Sequence, residues 1–103
     1  FIRDATIPDG TPVPAGEIFY KSWLITNNGA STWPEGTLLA QVGGDDMNAA
    51  AVKVPALASG QTEGVGVNMQ APMCAGSKTS FWRLITPEGE RFGARLWCEI
   101  TVL

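Results

Sequence analysis

Histidine is missing altogether, cysteine occurs twice, tyrosine once, and only 17% of the 103 residues are charged. Without histidine, acid–base catalysis near neutral pH falls to carboxylates or a shifted lysine, and imidazole metal ligation is excluded. Cys74 and Cys98 form no CxxC pair. An immunoglobulin-type bridge joins the second and sixth strands of a sandwich, whereas Cys98 falls on the last expected strand and Cys74 in a turn. Both are expected as buried free thiols in a reducing compartment. No apolar run approaches the roughly 20 residues of a membrane span, and no basic-apolar-small leader opens the sequence, so the expectation is a soluble domain without membrane insertion. Positive charge is also sparse, with 7 Lys and Arg against 10 Asp and Glu. The cations Arg3, Lys21, Lys53, Lys78, Arg83, Arg91 and Arg95 are scattered along the chain, and counterion release needs them clustered. Nucleic acid is not an expected partner.

What the sequence has in quantity is turn formers, 12 Gly and 7 Pro, between short alternating runs. No stretch has helical period. Strands are expected at Phe1 to Ile7, resumed at Thr11 to Val13 after Pro8-Asp9-Gly10, then at Glu17 to Asn27, Thr37 to Val42, Ala49 to Val54, Gly64 to Gln70, Ser77 to Ile85 and Arg95 to Val102. In the third of these, Phe19, Trp23 and Ile25 share a face with Lys21. Val65, Val67 and Met69 share one face of their strand. In the last strand Leu96, Cys98, Ile100 and Val102 point inward. About seven short strands with a turn every 8 to 12 residues predict an all-β, immunoglobulin-like antiparallel sandwich. Residues 1–103 read as one domain, of the usual size for one.

Catalytic constellations are wanting. Asp45 and Asp46 are adjacent, which sends them to opposite faces of an extended chain. Glu88 and Glu90 flank Gly89 in a turn, and neither pair has a glycosidase's opposed carboxylates. A cysteine nucleophile needs its pKa lowered, and nothing in the sequence supplies that. The Gly43–Asn48 run lacks the spacing and closing Glu of an EF-hand, and Gly64-x-Gly66 precedes no helix. The expectation is no enzyme, no cofactor and no metal.

The aromatic residues carry the functional signal. Trp23 and Trp82 are in phase with the core, with Ile25, Val65, Val67, Leu84, Leu96 and Ile100. Trp33, just before Pro34, stands at a loop, either as a cap on one end of the sandwich or as the wall of a binding site. Trp97 is out of phase with its strand and is expected on an outer sheet face, with Arg83 stacked over it. Phe81 and Ile85 share that face, while Tyr20 and Leu24 point outward on the other sheet. Apolar residues at solvated positions mark interfaces when they are contiguous. A third candidate is the loop end, where Asp9, Asn27, Trp33 and the hairpin from Glu88 to Phe92 are expected to converge and to take a peptide tail.

Four tryptophans in this order come with their own flanks. These are Asp9-Gly10-Thr11, Pro14-Ala15-Gly16, Phe19-Tyr20-Lys21-Ser22-Trp23, Asn27-Asn28-Gly29 before Trp33, Ser80-Phe81-Trp82-Arg83-Leu84 and Phe92-Gly93-Ala94-Arg95-Leu96-Trp97-Cys98. From about Asp9 to Val102 the chain resembles the four-tryptophan (FW) domain of selective-autophagy cargo receptors of the next-to-breast-cancer-one type. The resemblance implies an immunoglobulin-like, non-enzymatic module that docks a cargo or adaptor protein, in filamentous fungi including hydrolases bound for the vacuole. It implies a cytoplasmic, autophagosome-associated receptor delivered to the vacuole or lysosome with its cargo, and an Atg8-class partner bound through segments outside this domain. Ala49, Ala50 and Ala51 with Gly43 and Gly44 make the middle of the chain small-sided, and Cys74 has no counterpart in the pattern. The residues expected to meet cargo are Trp33, Phe81, Arg83, Trp97, Tyr20, Leu24, Asp9 and Phe92, on a monomeric domain. Two other classes fit exposed aromatics on a β-sandwich: a carbohydrate-binding module with a coplanar aromatic row, and a structural or dimerisation domain.

Overall fold

Alternation of large apolar with small or polar side chains makes the long strands, because an extended chain sends successive residues to opposite faces. A computed structural model describes residues 3–103, and the part of the expected first strand on Phe1 and Ile2 lies outside them. In chain order the strands are β1 (Arg3–Asp4), β2 (Thr11–Val13), β3 (Ile18–Thr26), β4 (Leu38–Gly44), β5 (Val52–Lys53), β6 (Thr62–Gln70), β7 (Gly76–Ile85) and β8 (Arg91–Val102). They build a three-stranded sheet, β1-β3-β6, and a five-stranded sheet, β2-β8-β7-β4-β5. The result is the expected all-β immunoglobulin-like sandwich, with eight strands among the described residues.

Three expectations are corrected. Thr11 to Val13 does not resume the first strand; it crosses to the other sheet and pairs in parallel with β8, Thr11 opposite Ile100. The alanine-rich strand shrinks to Val52–Lys53, because Met47 plugs the core and Asn48, at φ 51°, turns the chain there. The last strand begins at Arg91 rather than Arg95.

Trp23 of β3 and Trp82 of β7 are both fully buried, with ring centroids 6.2 Å apart and planes tilted by 49°. Ile25, Val65, Val67, Leu84, Leu96 and Ile100 complete the core around them. A buried indole N–H needs an acceptor. Trp82 Nε1 donates to Ser80 Oγ at 3.0 Å, and Trp23 Nε1 donates to the Trp97 carbonyl at 2.8 Å. The second bond ties a side chain of one sheet to the backbone of the other.

Lys21, in phase with Trp23, is buried with it. Its ammonium donates to Asp4 Oδ1 at 2.7 Å, the Thr6 carbonyl at 2.9 Å and the Ile7 carbonyl at 2.8 Å. All three N–H donors are therefore satisfied, as a buried charge requires. The Trp23 ring centroid lies 5.4 Å from Nζ. This clamp holds the segment from Asp4 to Ile7 in place, including Ile7 itself at φ 51°, a region that a β-branched residue adopts only under strain. Beyond Ile7, the turn at Pro8 to Gly10 carries the chain to the five-stranded sheet, where Gly10 N donates to the Glu99 carbonyl at 3.0 Å.

Both cysteines are free thiols, but only Cys98 is buried; Cys74 is exposed because the β6–β7 turn carries it outward. Burial pushes the Cys98 thiol from its ordinary value of 9.0 up to about 12; nearby Lys21 lowers it, and Asp4 and Asp9 raise it. Folded protein should react with a thiol reagent at Cys74 alone, and at Cys98 only after denaturation. The unfolded thiol loses its proton first as pH rises, so this group's contribution is intact below pH 9 and declines by about 1.4 kcal/mol per pH unit above it. Urea melts between pH 9 and 10.5 should cost the wild type about 2 kcal/mol more than Cys98→Ala. Equal slopes would show that the thiol ionises in place.

Candidate functional site

One end of the sandwich is opened by its loops. Asn27, at the end of β3, is buried and organises that loop: Nδ2 donates to the Ser31 carbonyl at 2.9 Å and the Leu57 carbonyl at 2.8 Å, and Oδ1 accepts from Gly29 N at 3.0 Å. Trp33 N donates to the same Leu57 carbonyl at 3.0 Å. The indole of Trp33 is thereby stood beside Phe92, at a centroid distance of 5.8 Å and an interplanar angle of 67°. Phe92 reaches this place because β8 is bulged against β7 between Trp82 and Leu84, with Gly93 at φ 76°.

Between these loops lies a cavity of about 400 Å³, floored by Ile25, Leu84 and Leu96 and walled by Trp33 and Phe92. Thr26, Asn28, Ser31, Thr32 and Thr86 supply polar groups at its sides, and among the described residues no charged side chain lines it. Such a cavity favours an uncharged guest: burying one Val-, Leu- or Phe-sized side chain is worth about 1.5–3 kcal/mol, and a bare charge would find no partner.

The structure brings Asn27, Trp33 and Phe92 together at this end, but not Asp9. The Asp9 carboxylate accepts from Trp97 Nε1, at 3.1 and 3.3 Å, on the outer face of the five-stranded sheet. Trp97 stands opposite Phe81 there. The expected stack of Arg83 on Trp97 is corrected: Arg83 Nη2 donates to the Gly93 carbonyl at 2.8 Å, and it is Arg95 that lies over the Phe81 ring, at 4.3 Å. The bulge is the cause, since it places Gly93 to Arg95 against the single residue Arg83. On the three-stranded sheet Tyr20 is 52% exposed and Leu24 is half-buried, with Ile18 beside them at 70%.

Residues 6–102 match the family described as the Ig-like domain from next to BRCA1 gene. The chain belongs to this family. Its relatives include the Next to BRCA1 gene 1 protein of Homo sapiens, 38% identical over 96% of this chain and 11% of that protein. Protein JOKA2 of Solanum tuberosum is 36% identical over 99% of the chain and 12% of that protein. Protein ILRUN of Danio rerio is 35% identical over 99% of the chain and 36% of that protein. The chain thus spans between about a tenth and a third of the length of these relatives.

Two features of this Ig-like domain escaped the sequence reading. The bracketing by Asn27 was hidden because its partners, Ser31 and Leu57, come from two loops. The cations are scattered in sequence but not in space. The pairings Lys53–Leu38, Leu38–Ile85 and Ile85–Arg91 put Lys53 and Arg91 at the two ends of one row across β5, β4, β7 and β8. Leu39 and Leu84, one residue along, are buried, so this row faces outward. Arg83 and Arg95 stand beside it on the same face.

Proposed function

We propose that this Ig-like domain is a non-enzymatic docking module of a selective-autophagy cargo receptor, and that its loop-end cavity takes an apolar side chain from a cargo protein or peptide tail. The observation that carries the reading is the uncharged cavity between Trp33 and Phe92, framed by loops that Asn27 holds in place. Large aromatics walling a cavity with an apolar floor are what binding hot spots are built from. Family membership supports the receptor context. The remainder of a longer protein would supply the Atg8-class contact, and the receptor would act in the cytoplasm before passing to the vacuole or lysosome with its cargo. A sugar platform calls for coplanar exposed rings, and the 67° angle between Trp33 and Phe92 speaks for an inserted side chain instead.

The test is capture of cytosolic proteins by the isolated domain, compared with Trp33→Ala, Phe92→Ala and Tyr20→Ala. Both cavity variants should stay folded in a urea melt and lose the captured partner by tenfold or more, since hot-spot truncations cost at least about 2 kcal/mol. Tyr20→Ala should keep it. Loss with Tyr20→Ala alone would move the site to the three-stranded sheet, and retention on immobilised polysaccharide by the wild type alone would replace cargo docking with sugar binding.

A further inference from the structure

The outer face of the five-stranded sheet carries four of the chain's 7 Lys and Arg residues, Lys53, Arg83, Arg91 and Arg95. Among the described residues Lys21–Asp4 is the one ion pair within 4 Å, so none of these four is neutralised by a described acid. The acids of this sheet lie elsewhere. Asp9, Asp45 and Glu99 stand beyond the Phe81–Trp97 pair, at the level of Thr79 and Trp97. Glu35, Glu88 and Glu90 sit in the turns at the opposite end, all exposed. Between the two acidic ends, the cations surround an apolar floor of Leu38, Ala40 and Ile85, each half-buried. Arg83 is held by the Gly93 carbonyl, and its Nε is buried without a hydrogen-bond partner among the described residues, a costly state for a charged donor.

From this face we infer a second docking surface, for an extended acidic segment of a partner protein that crosses the strands. The geometry sets its pattern. Lys53 and Arg91 are separated by three strand spacings, about 14 Å at roughly 4.8 Å each. An extended chain covers the same distance in four residues at about 3.4 Å apiece, and its residues i, i+2 and i+4 point to one side. A carboxylate at i therefore meets one terminal cation and a carboxylate at i+4 the other. An apolar side chain at i+2 lands on Leu38 and Ile85. The arginine guanidinium of Arg91 can hold its carboxylate by two parallel N–H bonds, where Lys53 offers a point charge. The floor between the two cations is apolar, where a carboxylate at i+2 would find no partner, so the surface selects two carboxylates at this spacing over a segment that is acidic throughout. The surface is separate from the cavity and does not depend on it.

The experiment uses an acetylated, amidated peptide, Ser-Glu-Ser-Leu-Ser-Glu-Ser, titrated into nitrogen-15-labelled protein at low salt. Its control has the same composition with the two Glu adjacent. The amides of Lys53, Leu38, Ile85 and Arg91 should shift with the first peptide and much less with the control. The double variant Lys53→Gln/Arg91→Gln changes two exposed residues and should weaken binding about tenfold, the combined effect of losing two solvent-exposed ion pairs of ordinary strength. Trp33→Ala should leave it unchanged, which separates this surface from the cavity. The proposal is overturned if the control binds equally, if the shifts map to the Trp33–Phe92 cavity, or if a single-stranded oligothymidylate competes for the same row more tightly than the peptide.

Discussion

Trp23→Ala is expected to abolish folding at 37 °C. Removing a fully buried tryptophan costs about 3–5 kcal/mol through lost burial and the cavity left behind. The Trp97 carbonyl, which accepts from Trp23 Nε1, would also lose its partner in a dry interior, adding about 1–3 kcal/mol. Small domains are stable by about 5–15 kcal/mol, so the sum reaches the lower end of the whole. Trp23→Phe separates the two effects, since it retains an aromatic ring and removes only the N–H and part of the volume. Its urea midpoint should fall between wild type and the alanine variant. If Trp23→Phe proves as unstable as Trp23→Ala, the bond between the sheets matters more than the ring; if both behave like wild type, the core is misassigned.

The second large effect concerns the Lys21 clamp. Asp4→Asn leaves the ammonium buried with two carbonyls and no counter-charge, and breaking a buried pair on one side costs about 3–5 kcal/mol. The low end applies here, because the Asp4 side chain is 21% open to solvent. Lys21→Met removes the charge but keeps an unbranched chain beside Trp23. It leaves the Thr6 and Ile7 carbonyls without their donor, so it should also destabilise, but by less than Asp4→Asn. Combining both substitutions should recover part of the loss, the signature of direct coupling in a double-mutant cycle. Additive losses would mean that Asp4 and Lys21 act independently, contrary to the 2.7 Å contact.

Most strand faces were legible because burial and alternation are local properties. Val65, Val67 and Met69 lie inward on β6, and Leu96, Cys98, Ile100 and Val102 lie inward on β8, as their spacing predicts. The choice of sheet for β2 was not legible. It depends on the turn after Ile7, whose left-handed backbone is held by Lys21 from another strand. Lys21 itself carried a readable hint, its phase with Trp23, but its partner Asp4 comes from a segment that only the fold brings near. The aromatic–arginine contact went to the wrong arginine because a bulge changes which residues face one another without altering the alternation on either side. At the loop end, Trp33 and Phe92 were readable as candidates because a tryptophan before a proline marks a loop and Phe92 closes the expected hairpin from Glu88. Their meeting was fixed by hydrogen bonds from Asn27 to two separate loops.

The parallel pairing of β2 with β8 has a consequence for when this chain acquires its structure. Thr11 meets Ile100, and Val13 meets Val102, so the second strand of the domain must wait for β8. During synthesis the β3–β6 pair can assemble before the five-stranded sheet has its final two strands, and until then the inner faces of β4 and β7 lack part of their cover. Contacts of such long sequence separation put folding in the range of milliseconds to seconds. Completion therefore follows the emergence of β8 from the ribosome, leaving a window in which the unfinished sheet is exposed to chaperones and to other nascent chains.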